Sequence, residues 1–182
     1  MDTRTLILGR NEDNLPEVIN VVGNRLLVNA ASDDLLEVTL SLDVAIYAPG
    51  DVLAATQEIP NAFRVSGGQA ILQSIVLLDE DDQAGALDLV FLRSDTSIGA
   101  ENSALNISDA AAEEIITVVP FTSGDYVDLT NSQIAMKATG DYGMGVLLEP
   151  TSHTSLYIAA ISRDTKTYTA SGIVLKIGLL RS

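Results

Sequence analysis

Four consecutive acidic residues, Asp79 to Asp82, could bind a metal ion or act as catalytic acids. Calcium sites take several oxygen ligands at alternating positions of a loop, usually with a glycine at the turn and a carboxylate further on. Here the acids are adjacent, so on extended backbone they point to opposite sides. The chain continues as Gln83-Ala84-Gly85, without a further carboxylate. The pattern favours a solvated hairpin loop between two apolar strands, with structural calcium as the alternative.

His153 is the only histidine, and it lies in a polar stretch beside Ser152, Thr154 and Ser155. A serine nucleophile needs a histidine base and an acid that orients it, and many such hydrolases carry a G-x-S-x-G turn. The sequence has no such turn. It therefore predicts an ordinary loop histidine rather than a catalytic triad.

Two other groups of residues resemble functional sites at first sight. The glycines of Gly140–Gly145 ("GDYGMG") lack the Lys and Ser/Thr of a phosphate-binding loop, and a turn before the strand at Val146 explains them. Glu113 and Glu114 are adjacent on a predicted helix and diverge by about 100°, so they cannot act as a pair on one glycosidic bond. We predict no catalytic residues, no metal ligands and no cofactor.

Composition excludes several classes of protein. Cysteine and tryptophan are absent and aromatic residues make up 4%, which removes disulfides, thiolate zinc sites and base-stacking platforms. A net charge of −15 repels phosphates, so we expect no binding to nucleic acid or to anionic membranes. The apolar runs are too short to span a bilayer, and 47% hydrophobic residues predict a packed, soluble protein.

Alternation of apolar residues with period two predicts strands from about residue 35 onwards. One strand is expected to place Leu87, Leu89 and Phe91 on one face, and the last strand alternates in the same way from Ile173 to Leu179. An earlier run is apolar on both faces, which predicts a central strand buried on two sides. Its expected faces are Leu72, Val76 and Leu78 on one side and Ile71, Ile75 and Leu77 on the other.

One stretch, "ISDAAAEEIITVV" at 107–119, breaks the strand pattern. Ser108 or Asp109 suits a helix N-cap, and the alanines and glutamates that follow favour a helix of two to three turns. We therefore predict an all-β chain, with a β-sandwich or jelly-roll-like domain over residues 36–182 and a single short helix.

Residues 1–35 form a different region, predicted to be an extended N-terminal arm. Its apolar pieces are too short for a helix or a central strand, and such pieces often lie along another surface. We expect its apolar residues either to contact a partner or a second copy, or to complete the domain's own core. These residues are Leu6, Ile7, Leu8, Leu15, Val18, Ile19, Val21, Leu26 and Leu27.

The order of four segments resembles small virion structural proteins of tailed bacteriophages. The segments are "YAPGDVLAA", "GGQAILQSIVLLDEDDQAGALDLVFLRSD", "NSALNISDAAAEEIITVV" and "SLYIAAISRDTKTYTASGIVLKIGLL". In those proteins a "Y..GDV" turn, a glycine pair that opens a long hairpin, an "N.A...SDAD"-like helix start and a "Y.........L.L.LGL" ending recur in that order. The similarity covers roughly residues 45 to 180. This chain has "SDAAAE" in place of "SDAD", and its arm has no counterpart.

The resemblance implies a non-enzymatic protein present in many copies on a phage capsid, where cement or decoration proteins bridge neighbouring capsid subunits. The expected partners are the major capsid protein and further copies of the chain, as a dimer or trimer. The expected location is the capsid surface, after synthesis in the host cytoplasm. One alternative is a tail-associated fibre or adhesin component that binds a host surface, and a weaker one is a glycan-directed hydrolase.

Overall fold

Strand is the dominant structure of the chain. The computed structural model describes residues 35–181 and, before them, strand segments at 8–10, 16–18, 21–22 and 25–26. The elements are β1 (Leu8–Arg10), β2 (Pro16–Val18), β3 (Val21–Val22), β4 (Arg25–Leu26), β5 (Leu35–Thr39), β6 (Val52–Ile59), β7 (Ala70–Asp79), β8 (Leu87–Leu92), α1 (Asp109–Ala112), β9 (Ile115–Phe121), a 3-10 turn (Ser123–Asp125), β10 (Tyr126–Asp128), β11 (Gln133–Ala138), β12 (Leu147–Leu148), β13 (Leu156–Ser162) and β14 (Ile173–Arg181). The prediction of an all-β fold is confirmed.

The chain divides into two compact units, Met1–Ser32 and Asp33–Ser182. In the first unit, β1 pairs antiparallel with β2, and β3 pairs antiparallel with β4. The second unit, called the body from here on, contains all the other elements.

Two antiparallel sheets make up the body. The larger sheet has the strand order β10-β11-β7-β14-β5, and the short β12 pairs with the first residues of β7. The smaller sheet has the order β6-β13-β8-β9. β7 and β14 pair along their whole length, from Asp79 opposite Ile173 to Ala70 opposite Arg181, and this long pair is the centre of the larger sheet.

The main core lies between the two sheets. Leu87, Leu89 and Phe91 of β8 and the alternating residues Ile173 to Leu179 of β14 belong to one buried cluster. Each of these side chains contributes about 1.5–3 kcal/mol when fully removed from water. The predicted inward faces of both strands are confirmed, because a strand with period-two alternation has one orientation that buries all its large side chains.

A second apolar cluster covers the other side of the smaller sheet. Val90 and Leu92 of β8 point away from the main core and pack with Ile98, which is fully buried. Leu105 and Ile107 pack against the same cluster. The connection between β8 and β9 therefore forms a third layer over the smaller sheet, and this explains why β8 is apolar on both faces.

The central strand β7 changes its inward face part-way along. Leu72, Ile75 and Leu77 are buried, whereas Ile71 is exposed and Val76 is half-buried. The cause is an irregularity in the pairing with β14: Ser74 is opposite Gly178, Leu72 is opposite Leu179, and Gln73 is the extra residue. The predicted grouping of Leu72 with Val76 and Leu78 is therefore wrong, as is the prediction that both faces are buried.

The predicted helix is shorter than expected. α1 is a single turn, Asp109–Ala112, whose N-cap is Ser108, with its hydroxyl accepting a hydrogen bond from the N–H of Ala111 (3.2 Å). The cap was predicted correctly, but Ile115 and Ile116 belong to β9 instead of the helix. The β-branched run from Ile115 pairs with β8, and that tertiary pairing outweighs the helix propensity of the preceding alanines and glutamates.

Candidate functional site

Asp79, the first of the four consecutive acids, is buried and shapes the loop that follows it. Its Oδ1 accepts a hydrogen bond from the N–H of Asp81 (3.0 Å), and its Oδ2 accepts from those of Gln83 (2.9 Å) and Ala84 (2.8 Å). Burial raises the pKa of Asp79, while these three backbone donors act in the opposite direction. Both carboxylate oxygens are thus engaged with the chain's own backbone.

The next acids diverge, as their adjacent spacing predicts. Asp81 accepts hydrogen bonds from the N–H and hydroxyl of Thr169 (2.7 and 3.0 Å to Oδ2), and Asp82 accepts from Gln133 (2.6 Å). In the part of the chain that the structure describes, no three His, Asp or Glu side chains are arranged to hold a metal ion. The loop therefore ties neighbouring segments together.

This loop does not close a hairpin, which corrects the sequence interpretation. β7 belongs to the larger sheet and β8 to the smaller one, so the connection at 80–86 crosses between them. Sheets in a sandwich lie about 10 Å apart, which a loop of this length spans easily. Both flanking strands have apolar faces that the same core buries, and this requirement places them in opposite layers.

His153, Ser155 and Glu58 lie close together but are not connected as a catalytic triad. The Ser155 hydroxyl donates directly to the Glu58 carboxylate. The Nδ1 of His153 accepts from the backbone N–H of Ser155 (3.3 Å), and its ring packs edge-on against Tyr157. Since the imidazole does not lie between the hydroxyl and the acid, His153 is not placed to remove the proton of Ser155.

The glycine-rich segment and the paired glutamates also have structural roles. Gly140, Gly143 and Gly145 all have positive φ, and the Gly143 carbonyl accepts a hydrogen bond from the Thr117 hydroxyl on β9 (2.9 Å). Glu114 accepts from Ser94 (2.7 Å). These contacts fasten loops to the edge of the smaller sheet.

Three partly or fully buried phenols are held protonated by their surroundings. Burial raises the pKa of Tyr47 to about 12 and raises those of Tyr126 and Tyr168 further. The Tyr126 hydroxyl donates to the carbonyl of Gly85 (2.9 Å). Phenols in this state donate hydrogen bonds and do not serve as bases near neutral pH.

The residues of the arm that were predicted to contact a partner fall in two groups. Leu6, Ile7, Leu15, Ile19 and Leu27 lie outside the described residues. Leu8 is opposite Val18 in the pairing of β1 with β2, and Val21 is opposite Leu26 in the pairing of β3 with β4. Their role as contact residues stays a prediction.

The larger sheet has an apolar side that points away from the main core, and we call it the outer face. All its side chains are exposed or half-buried. Met136 is 62% exposed, Val127 61% and Leu35 57%. The outer face consists of Val127, Ile134, Met136, Ala138, Leu147, Ile71, Gln73, Ser74, Val76, Leu78, Val174, Lys176, Gly178, Leu180, Leu35, Glu37 and Thr39.

One end of the outer face contains a shallow cleft of about 350 Å³. Ile71, Leu147 and Leu180 line it together with Gln69, Ala70 and Arg181. Leu147 pairs with Ile71, which in turn pairs with Leu180, so the cleft follows a row of side chains across three strands. Its lining is mostly apolar and includes no acid and no histidine.

No known family, curated protein or solved structure matches the chain. Of the described residues considered for chemistry, Asp79, Ser155 and Glu114 are hydrogen-bonded within the fold. The outer face holds several of the exposed large apolar side chains of the described chain.

Sequence reasoning missed the outer face because β7 and β14 each carry apolar residues on two sides. That composition predicts burial on both sides of a central strand. An exposed apolar sheet face and a covered one have the same sequence pattern, so the distinction needed the positions of the neighbouring elements. Individual residues, such as Met136 next to Lys137 in the sequence, do not show whether a sheet face is exposed or covered.

Proposed function

We propose that the protein is a virion structural protein of capsid cement or decoration type. In this proposal it binds the outside of a phage capsid and stabilises the shell by bridging neighbouring subunits of the major capsid protein. The resemblance of residues 45–180 to phage virion proteins gives the class, and the properties of the body are consistent with a role in assembly.

The observation that carries the proposal is the outer face. It holds several exposed large apolar side chains, among them Leu35, Val127 and Met136, and clustered exposed apolar side chains are typical of a site for protein contact. The net charge of −15 keeps such a protein soluble despite that surface. The polar residues first considered for catalysis are occupied by contacts such as those of Asp79 with its own loop.

Many weak contacts explain how such a protein stabilises a shell. A capsid offers the same binding surface many times, so two linked contacts per bridge bind far more tightly than either one alone. The apolar residues of the arm, such as Leu6, Ile7 and Leu8, supply the capsid contact in this proposal. The body then spans from one subunit to the next.

Removal and return of the protein test the proposed function. Particles stripped of the protein should release their DNA at a lower temperature than native particles, and purified protein should restore the native temperature. A variant with Leu6, Ile7 and Leu8 all changed to Ser should fail to restore it, while the body variant Val44→Ser, at an exposed loop position, should succeed. Stripped particles that are as stable as native ones would contradict the proposal.

A further inference from the structure

We propose that the outer face is a self-association surface, on which two copies of this chain pack face to face about a two-fold axis. The inference does not depend on the proposed place in a phage particle, because it concerns the purified protein. It rests on the charge, the area and the edges of the larger sheet.

The outer face is nearly free of charge in a strongly acidic protein. Lys176 and Glu37 are its only charged positions, although the chain has 25 acidic residues. Their side chains are 43% and 64% exposed, and the Nζ and Oε2 atoms are 4.0 Å apart. An ion pair that is this exposed and has so long an N–O distance contributes little to the stability of one copy.

This pair lies towards one side of the outer face. Lys176 on β14 is opposite Glu37 on β5, which is an edge strand of the larger sheet. Two copies overlap over all five strands only when the two-fold axis runs near β7, the middle strand. Apolar side chains such as Val76 and Met136 then lie at the centre of the contact, and the two acidic molecules meet through the surface with the least charge repulsion.

The area of the face is just large enough for a specific dimer. Five neighbouring strands at about 4.8 Å span about 24 Å, and the eight residues from Ile71 to Leu78 span about 27 Å. Because β10 and β5 are shorter, with three and five residues, the face offers about 500 Å² per copy. Two copies together bury about 1,000 Å², which is about the minimum for a specific protein interface.

Edge-to-edge pairing through β5 is hindered, which favours face-to-face packing. The side-chain amide of Gln57 donates to the carbonyl of Thr39 (3.0 Å), and its oxygen accepts from the N–H of Ser41 (2.9 Å). Leu40 donates to Ile173 of β14 on the opposite side. Gln57 thus occupies backbone groups at the open edge that a second strand would need.

Light scattering coupled to size-exclusion chromatography tests the inference with the full chain. At about 100 µM the wild-type protein should have twice the 19.2 kDa mass of one chain. Met136→Glu, in the middle row of the outer face, should raise the dimer dissociation constant at least about tenfold. The matched control is Ile46→Glu, since Ile46 is 66% exposed and lies on a loop outside this face.

Charge repulsion gives a second test. Lys176→Glu places two acids on the outer face of each copy and should also weaken the dimer. A wild-type protein that is monomeric at this concentration would overturn the inference and leave the face to another partner. A dimer that Met136→Glu and Lys176→Glu leave intact would equally overturn it, because the contact would lie elsewhere.

Discussion

At the scale of single residues, several acids of the described chain, such as Asp79 and Asp125, stabilise the fold through hydrogen bonds. Asp125 shows this well: its Oδ1 accepts from Lys137 (2.6 Å), and its Oδ2 accepts from the N–H and hydroxyl of Thr122 (2.7 and 2.9 Å). Burial acts to raise the pKa of Asp125, but the bonds from Lys137 and Thr122 outweigh it and lower the pKa below the usual 3.8.

The lowered pKa gives Asp125 a pH-dependent contribution to stability. A carboxyl that is more acidic in the folded protein stabilises the fold above pH 3.8, and this contribution is lost as the pH falls through the folded-state pKa. Asp125→Asn should therefore reduce the free energy of unfolding by about 1 kcal/mol at pH 7 and by much less near pH 2. Urea unfolding at both pH values measures this, with the exposed Glu80→Gln as the control. An equal loss at both pH values would contradict the role of the charge.

Substitutions of two glycines in one loop distinguish the cost of backbone strain from the cost of a steric clash. Gly140 and Gly143 both have positive φ, but a Cβ at Gly140 meets open space, whereas one at Gly143 collides with the Val118 carbonyl oxygen. Gly140→Ala should cost about 1–2 kcal/mol of unfolding free energy. Gly143→Ala should cost clearly more, because the backbone of β9 must move. Thermal unfolding of both variants gives the comparison, and equal losses would mean that the loop does not press on β9.

At the scale of elements, the smaller sheet depends on its covering connection. Ile98 is fully buried against Val52, Val90 and Leu92, although it lies in a segment without regular structure. Ile98→Ala should lower the free energy of unfolding by about 2–4 kcal/mol, a loss typical of a core residue. Ile46→Ala, at an exposed loop position, should change it by less than about 0.5 kcal/mol. A small effect at Ile98 would show that the third layer is loosely packed.

The strands also show which parts of the fold could be predicted from the sequence. Regular alternation identified the inward faces of β8 and β14, because one orientation buries every large side chain. It failed in β7, where the extra residue Gln73 moves Leu72 and Ile71 to the other side. No local signal marks such a bulge, since it is set by the partner strand.

The sheet to which each strand belongs could not be predicted from the sequence either. β7 and β8 are joined by a short acidic loop, which predicts a hairpin, yet they lie in different sheets. The Asp79 carboxylate explains the crossing locally, because it binds three backbone N–H groups of the turn. Which sheet receives each strand, however, is decided by the fit of distant apolar faces. The same holds for the short α1 and for the outer face.

At the scale of the whole molecule, apolar area and charge are separated. The outer face holds one acid, Glu37, while the loop after β7 alone carries Glu80, Asp81 and Asp82. Among the described residues, no helix is long and apolar enough to cross a membrane. A body with a nearly uncharged outer face and acidic loops suits the proposed contact with protein partners. If two copies pair through the outer face, each pair presents two arms, which is the valency that bridging requires.

The central claim is that this protein is a repeated component of a phage shell. Its copy number in purified particles, relative to the major capsid protein and measured by quantitative mass spectrometry, tests that claim most directly. The account predicts a ratio near one, or a simple fraction of one. A handful of copies per particle would contradict the capsid role and place the protein in the tail, and its absence from the particle would contradict both structural roles.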